Sequence, residues 1–303
     1  MTERAVVRVP GKINLQLSVG PLQSDGYHGL ATVFQAVSLY DEITISRSDS
    51  EGIRISSEGR HEFLPLNSEN LAYKAAEIMM KEFELESGLN LTIKKEIPIA
   101  GGMAGGSADA GATIVGIDHL FSLGLKRDAM EQIGARLGAD VPFTISGGTA
   151  IGTGRGDQIT PVLSRGSYNW VLALSSAGLS TPAVFKECDR LREGLEVSQP
   201  HISDKLMHAL SSGDSKSLGA ALVNDLQPAA CSLKPALRLI LDVGMDYGAL
   251  GGLVSGSGPT VAFLAENEDH ALDLVVALTS SGVVGNVVRV SGPVPGARVI
   301  ESA

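Results

Sequence analysis

Residues 98–112, PIAGGMAGGSADAGA, set a run of glycine and alanine directly ahead of a helical pattern. Gly105 and Gly106 let backbone approach a bulky anion, and the helix that follows opens with unpaired N–H groups and the positive end of its dipole. Ser107 adds a hydroxyl that can cap the helix or touch phosphate or a metal ion. A plain glycine-rich turn with a serine N-cap fits the same residues. The dinucleotide fingerprint G-x-G-x-x-G fails at Met103. The P-loop pattern G-x-x-x-x-G-K-[ST] fails at Ser107, where lysine is required. Protein-kinase H-R-D and D-F-G signatures are absent, and so is the G-x-S-x-G elbow of serine hydrolases.

Other residues with usable chemistry are scattered. Lys12 and Asn14 share the polar face of a strand, a face that commonly meets solvent. Asp140, in LGADVPF, is either a turn aspartate bonding nearby backbone or a carboxylate set at the edge of a pocket. Tyr27 and His28 follow Asp25-Gly26 in a turn and could stack on a flat ligand. SGSGPT at 255–260 reads as a strand-to-strand turn or as a second close approach of backbone to a ligand. The six histidines show no metal-ligand grouping.

The chain that must position them has 303 residues, 44% hydrophobic and 19% charged, enough for two domains. Its formal net charge of −10 disfavours a nucleic-acid partner, which needs a basic patch. Cys188 and Cys231 are too few for a disulfide framework and are expected to be packing residues. The N-terminal MTERAVVRVP lacks a secretory apolar region, and no long uncharged apolar run suggests a membrane span. A cytoplasmic setting is therefore expected, with monomer and homodimer both open.

Ile13, Leu15, Leu17 and Val19 alternate with Lys12, Asn14, Gln16 and Ser18, predicting a half-buried strand. Further strands are expected at 32–46, 89–100 and 170–176, and a strand pair at 147–162. Helices are expected at 69–86, along the face of Ala110, Ile114, Ile117 and Phe121, and from an Asp128 N-cap to Gly138. The second half reads as helices near 182–194 and 201–222. It continues as a helix at 235–243, strands at 251–255 and 260–265, a helix at 268–280 and a strand at 284–290, the rhythm of half a split βαβ unit. The fold class is α+β in two domains, 1–160 and 161–303.

In order along the chain, RVPGKINL (8–15), DGYH (25–28), the glycine loop, GADVPF (138–143) and SGSGPTVAFL (255–264) resemble the GHMP small-molecule kinases over nearly the whole length. DGYH beside TVFQAVSLYDEI (32–43), with NDLQP (224–228), narrows the resemblance to the branch serving the non-mevalonate route to isoprenoid precursors. The resemblance implies an N-terminal ribosomal protein S5 domain 2-like domain and a C-terminal ferredoxin-like α/β domain. It implies phosphoryl transfer from ATP, with Mg²⁺, to the 2-hydroxyl of a cytidyl-diphospho-methylerythritol. Asp140 falls at the family's catalytic aspartate and Lys12 at its partner lysine. The ATP loop falls on Pro98, Ile99, Ala100, Gly101, Gly102, Met103, Ala104, Gly105, Gly106, Ser107 and Ala108. Asn14 would line the substrate pocket, and Tyr27, His28 and Phe185 would face the cytosine. That aromatic set argues against homoserine, mevalonate or a sugar as substrate. Three residues depart from the family pattern: Met103 for leucine, Ala108 for serine and Gly29 for glutamate. The second removes a hydroxyl, so a contact there would fall to Ser107 or water.

Overall fold

The computed structural model describes residues 2–59, 64–175 and 177–303. His61 and Ser176, the last residue of the expected 170–176 strand, lie outside them. The chain opens with two long strands, β1 (Arg4–Leu22) and β2 (His28–Ser48), then β3 (Ile53–Glu58), α1 (Leu71–Glu82) and β4 (Gly88–Lys94). The glycine loop leads into α2 (Gly105–Phe121), followed by α3 (Arg127–Ala135), α4 (Val141–Ser146), β5 (Thr149–Thr153) and β6 (Gln158–Pro161). The second half continues with β7 (Tyr168–Leu174), α5 (Thr181–Leu191), α6 (Asp204–Ser212), α7 (Ser215–Ala221), β8 (Val223–Asn224) and α8 (Gln227–Leu233). It closes with α9 (Ala236–Asp246), β9 (Gly251–Val254), β10 (Val261–Ala265), α10 (Glu268–Ser280), β11 (Asn286–Gly292) and β12 (Arg298–Ser302).

Two sheets organise these elements. The first runs β12-β1-β2-β4-β3, with β5 and β6 joined through β2 and the short β8 alongside β1. The second has the order β11-β7-β10-β9, antiparallel throughout. Its strands in chain order, β7, β9, β10 and β11, are arranged 4-1-3-2, the ferredoxin-like pattern that the resemblance implied. A cut at 160/161 does not separate the sheets, because β8 and β12 return to β1. Trp170 of β7 donates its indole N–H to Gln35 Oε1 of β2 at 2.9 Å, and Ser291 of β11 donates its backbone N–H to Ser38 Oγ at 2.8 Å. These polar pins tie the sheets together where apolar packing alone leaves register loose.

Helix α2 fills the space between the first sheet and α1 and α4, which explains its small residues. A Cβ on Gly116 would collide with Ile45 of β2, and one on Gly111 with Thr144 of α4. Larger side chains would hold the layers apart. Local chemistry sets the helix ends, not always where expected. Asn70 caps α1 by accepting the Ala72 N–H at 2.8 Å, and the helix stops at Glu82, short of 86, since Glu84 turns to a φ of 50°. Helix α3 begins after Lys126, which places Asp128 in the first turn and not at the cap, still beside the positive dipole end. The stretch 201–222 is broken at Gly213 (φ 77°), and Asp214 caps the new helix by accepting from Lys216 N and Ser217 N. The strand expected to reach 100 stops at Lys94.

Candidate functional site

The polar face of β1 is not solvent-facing: Lys12, Asn14 and Gln16 are all buried. The second half of the chain covers it, with Gln16 donating to His201 O at 2.6 Å and accepting from Ser203 N at 2.9 Å. A chain of hydrogen bonds then fixes each neighbour. Thr32 Oγ1 donates to Gln16 O (2.6 Å), Asn14 Nδ2 donates to Thr32 Oγ1 (2.8 Å), and Lys12 Nζ donates to Asn14 Oδ1 (2.7 Å). Burial pulls the Lys12 ammonium below its ordinary range, and the charge of Asp140 opposes that pull. The two side chains form no direct ion pair.

The glycine loop docks on this strand, with Lys12 N donating to Met103 O at 3.1 Å. Ala104, in the left-handed conformation (φ 60°), precedes the helix and no side chain caps it. Ser107 is therefore the third helical residue and not the N-cap. The glycines divide by what surrounds them. A Cβ on Gly102 would strike Ser255 O of the SGSG loop; on Gly105 it would meet Lys95 Nζ at 3.0 Å. Gly106 alone of these is open, with only Leu71 Cδ1 near, at 3.6 Å. The 255–260 segment is both turn and buttress: Ser255 Oγ donates to Gly102 O (3.0 Å), and Thr260 N donates to Gly101 O (3.2 Å). Asn224 braces it from behind, donating to Val254 O and Gly256 O at 2.7 Å each.

A cavity of about 690 Å³ opens over this floor. Ala100, Gly101, Gly102, Ala104, Gly105, Gly106 and Ser107 line it together with Lys12, Asn14 and Asp140. Pro98, Ile99, Met103 and Ala108 are not on its wall; Met103 and Ala108 are wholly buried in the core. The Ala108 methyl thus packs in the core of the helix and not on the cavity wall. Asp140 stands at the N-terminus of α4, yet its carboxylate makes no capping hydrogen bond and no ion pair among the described residues. It is left for the cavity.

A second cavity of about 910 Å³ adjoins the first and is lined by Tyr27, His28 and Phe185. Leu30, Arg155, Pro182 and Phe185 border both cavities. His28 is buried, with Nε2 2.8 Å from Asp189 Oδ1 and its ring 5.2 Å from that of Phe185, tilted by 32°. Tyr27 is exposed, and the Arg155 guanidinium lies 3.8 Å from its ring centroid.

One buried constellation escaped the sequence reading. Lys95 Nζ bonds Asp41 Oδ2 (2.5 Å), Asp109 Oδ2 (2.7 Å) and the carbonyl of Gly105 (2.8 Å), beneath the start of α2. Asp41 Oδ1 accepts from Glu96 N and Ile97 N at 2.7 and 2.8 Å. Burial pushes the Asp109 carboxyl up to about 8, with Lys95 opposing and Asp41 adding. Burial also draws the Lys95 ammonium down, but the two carboxylates outweigh it and hold it above its ordinary value. The available signal was Asp109 itself, the only charge among the small and apolar residues 105–117 that open this helix, which has to find a buried partner.

Among the described residues no group of three His, Cys, Asp or Glu could hold a metal ion, and no helix is long and apolar enough to cross a membrane. Comparison with known proteins bears on what binds here. Residues 70–148 match the GHMP kinases N terminal domain, and residues 206–284 match GHMP kinases C terminal. A Thermobifida fusca protein called 4-diphosphocytidyl-2-C-methyl-D-erythritol kinase is 50% identical, with 97% of each chain covered. The chain belongs to the GHMP kinases. A Nocardia farcinica protein of the same name is 51% identical over 98% of this kinase and 96% of its relative. A crystal structure of 4-(cytidine 5'-diphospho)-2C-methyl-D-erythritol kinase superposes with a TM-score of 0.78 at 28% identity, covering 94% of this chain and 98% of the other. The kinase therefore has the two-domain GHMP fold, and ATP is the phosphoryl donor that membership implies. The first matched segment holds the glycine loop and Asp140; Lys12, Asn14, Tyr27, His28 and Phe185 lie outside both.

Proposed function

We propose that this GHMP kinase transfers the γ-phosphoryl group of ATP to the 2-hydroxyl of 4-(cytidine 5'-diphospho)-2-C-methyl-D-erythritol, a step in making isoprenoid precursors by the non-mevalonate route. The observation that carries this reading is a pair of adjoining cavities with shared walls. The first has the glycine loop as its floor and holds Lys12 and the unengaged Asp140, the second is lined by Tyr27 and His28, and Phe185 borders both. The full-length similarity to relatives of that name supports the substrate.

In this reading Asp140 takes the proton of the 2-hydroxyl as the alkoxide oxygen attacks the γ-phosphorus and the bond to the departing ADP oxygen breaks. A carboxylate about 3 Å from that proton contributes on the order of 10² to 10⁴ in rate. Lys12, fixed by Asn14, offsets the negative charge gathered at the centre. The triphosphate lies along Gly101 to Ser107, with the open Gly106 as its closest approach and the α2 dipole favouring its charge. Pro98, Ile99, Met103 and Ala108 support that loop from behind. Magnesium bound to ATP would neutralise phosphate charge, held mostly by phosphate oxygens and water, and Asp140 and Ser107 are among the side chains with oxygens on the cavity wall that could complete its sphere. Tyr27, His28 and Phe185 take the cytosine. The Asp189 contact occupies His28 Nε2 and leaves Nδ1 for the base.

The direct test is coupled ADP release with ATP and either the cytidylated substrate or its uncytidylated methylerythritol phosphate. Turnover is expected with the cytidylated compound only. Preference for the uncytidylated alcohol would remove the nucleobase assignment.

A further inference from the structure

The joint between the two cavities carries a cation to which nothing above gives a task. Arg155 sits at the tip of the β5–β6 turn, between Gly154 (φ 69°) and Gly156 (φ 92°). Left-handed backbone on both sides makes the turn tight and projects the side chain outward. The turn is held in place: Leu30 N donates to Gly154 O at 2.9 Å, Gly156 N to Thr153 O at 2.9 Å, and Arg155 N to Asp157 Oδ1 at 3.1 Å. The guanidinium then crosses over the Tyr27 ring and donates from one nitrogen to Asp25 Oδ2 at 3.1 Å. Its side chain remains 55% exposed, so most of its N–H donors face open space. Among the described residues, Arg155 is the one cation bordering both cavities.

Charge makes the position informative. A substrate with cytosine at Phe185 and its reacting hydroxyl at Asp140 must lay its diphosphate across the joint. The chain carries a net charge of −10, and Lys12 is already bonded to Asn14 at the reacting end. A planar guanidinium, partly immobilised by an aromatic face and a carboxylate, loses little freedom on binding two phosphate oxygens. We propose that Arg155 is a specificity-determining residue that binds the diphosphate of the nucleotide substrate, a role that rests on the cytidyl-diphosphate reading above. Asp25 and Tyr27 are the groups that hold it there.

The test is calorimetric titration of the full chain with cytidine, CMP and CDP, in a saturating non-hydrolysable ATP analogue so that CDP cannot occupy the ATP loop. Wild type is expected to bind CDP more tightly than cytidine by on the order of 10- to 100-fold. Arg155→Met should lose most of that ratio and keep its cytidine affinity, and Arg155→Lys should recover part of it. Equal weakening of cytidine, CMP and CDP in Arg155→Met would overturn the proposal, since the residue would then only hold the Tyr27 ring. Weakened binding of the ATP analogue instead would assign Arg155 to the other substrate and overturn it too. If wild type binds neither cytidine nor CDP, the cytidyl reading fails first and takes this inference with it.

Discussion

Asp140 stands out because a helix N-terminus usually engages its aspartate, and this one is not engaged. Its carboxylate neither caps nor pairs and borders the cavity beside the glycine loop. Asp140→Asn keeps the shape, removes the basic oxygen and disturbs no intramolecular bond. Turnover is expected to drop by roughly 10²-fold or more with ATP affinity near normal, measured by steady-state kinetics and nucleotide titration. An unchanged rate would take the base role from Asp140. Its positive neighbour was less legible. Lys12 read as a surface lysine because strand alternation marks which residues share a face, not what covers that face. The cover came from His201 and Ser203, some 190 positions away, and no local pattern announces that.

At the scale of elements, the glycine loop shows that several glycines in one motif can have different reasons. Gly102 and Gly105 make room for protein, and Gly106 leaves room for a ligand. Gly106→Val is therefore expected to fold with near-normal stability and to weaken ATP binding, read by comparing denaturant midpoints with nucleotide titration. Full ATP affinity in that variant would make the loop a plain turn. Helix α2 also carries the buried Asp109, whose carboxyl is raised to about 8. The folded state then holds a proton that the unfolded chain releases. Stability from this group is present below the ordinary carboxylate range and is lost as pH rises through about 8. Asp109→Asn should gain on wild type over that window by up to about 1 kcal/mol per pH unit in urea titrations. A constant difference from pH ~5 to ~8 would show that Asp109 stays ionised. The helix itself was legible from its apolar spacing. Its lysine and aspartate partners were not, because Lys95 and Asp41 lie on separate segments that only the sheet brings together.

For the whole molecule, the second half's order of strands and helices was readable because short loops and alternating patterns repeat there. The chain's return to its first sheet was not. β12 is five residues with a single buried-facing rhythm too short to mark, and its partner lies nearly 300 positions upstream. The short α8 was missed for a similar reason, with a Pro near its start and only seven residues to show a period. The pairing of β12 with β1 has a consequence for how the kinase is made. β1 leaves the ribosome well ahead of its outer partner, which follows some 280 residues later, at ordinary elongation rates roughly 15 to 60 s. Throughout that interval residues 5–8 of β1, the stretch that β12 later covers, show a bare row of N–H and C=O groups to solvent. The growing chain is thus open to mispairing along that edge of β1, the strand that also carries Lys12 and Asn14, and nascent-chain factors that shield β-edges would act there.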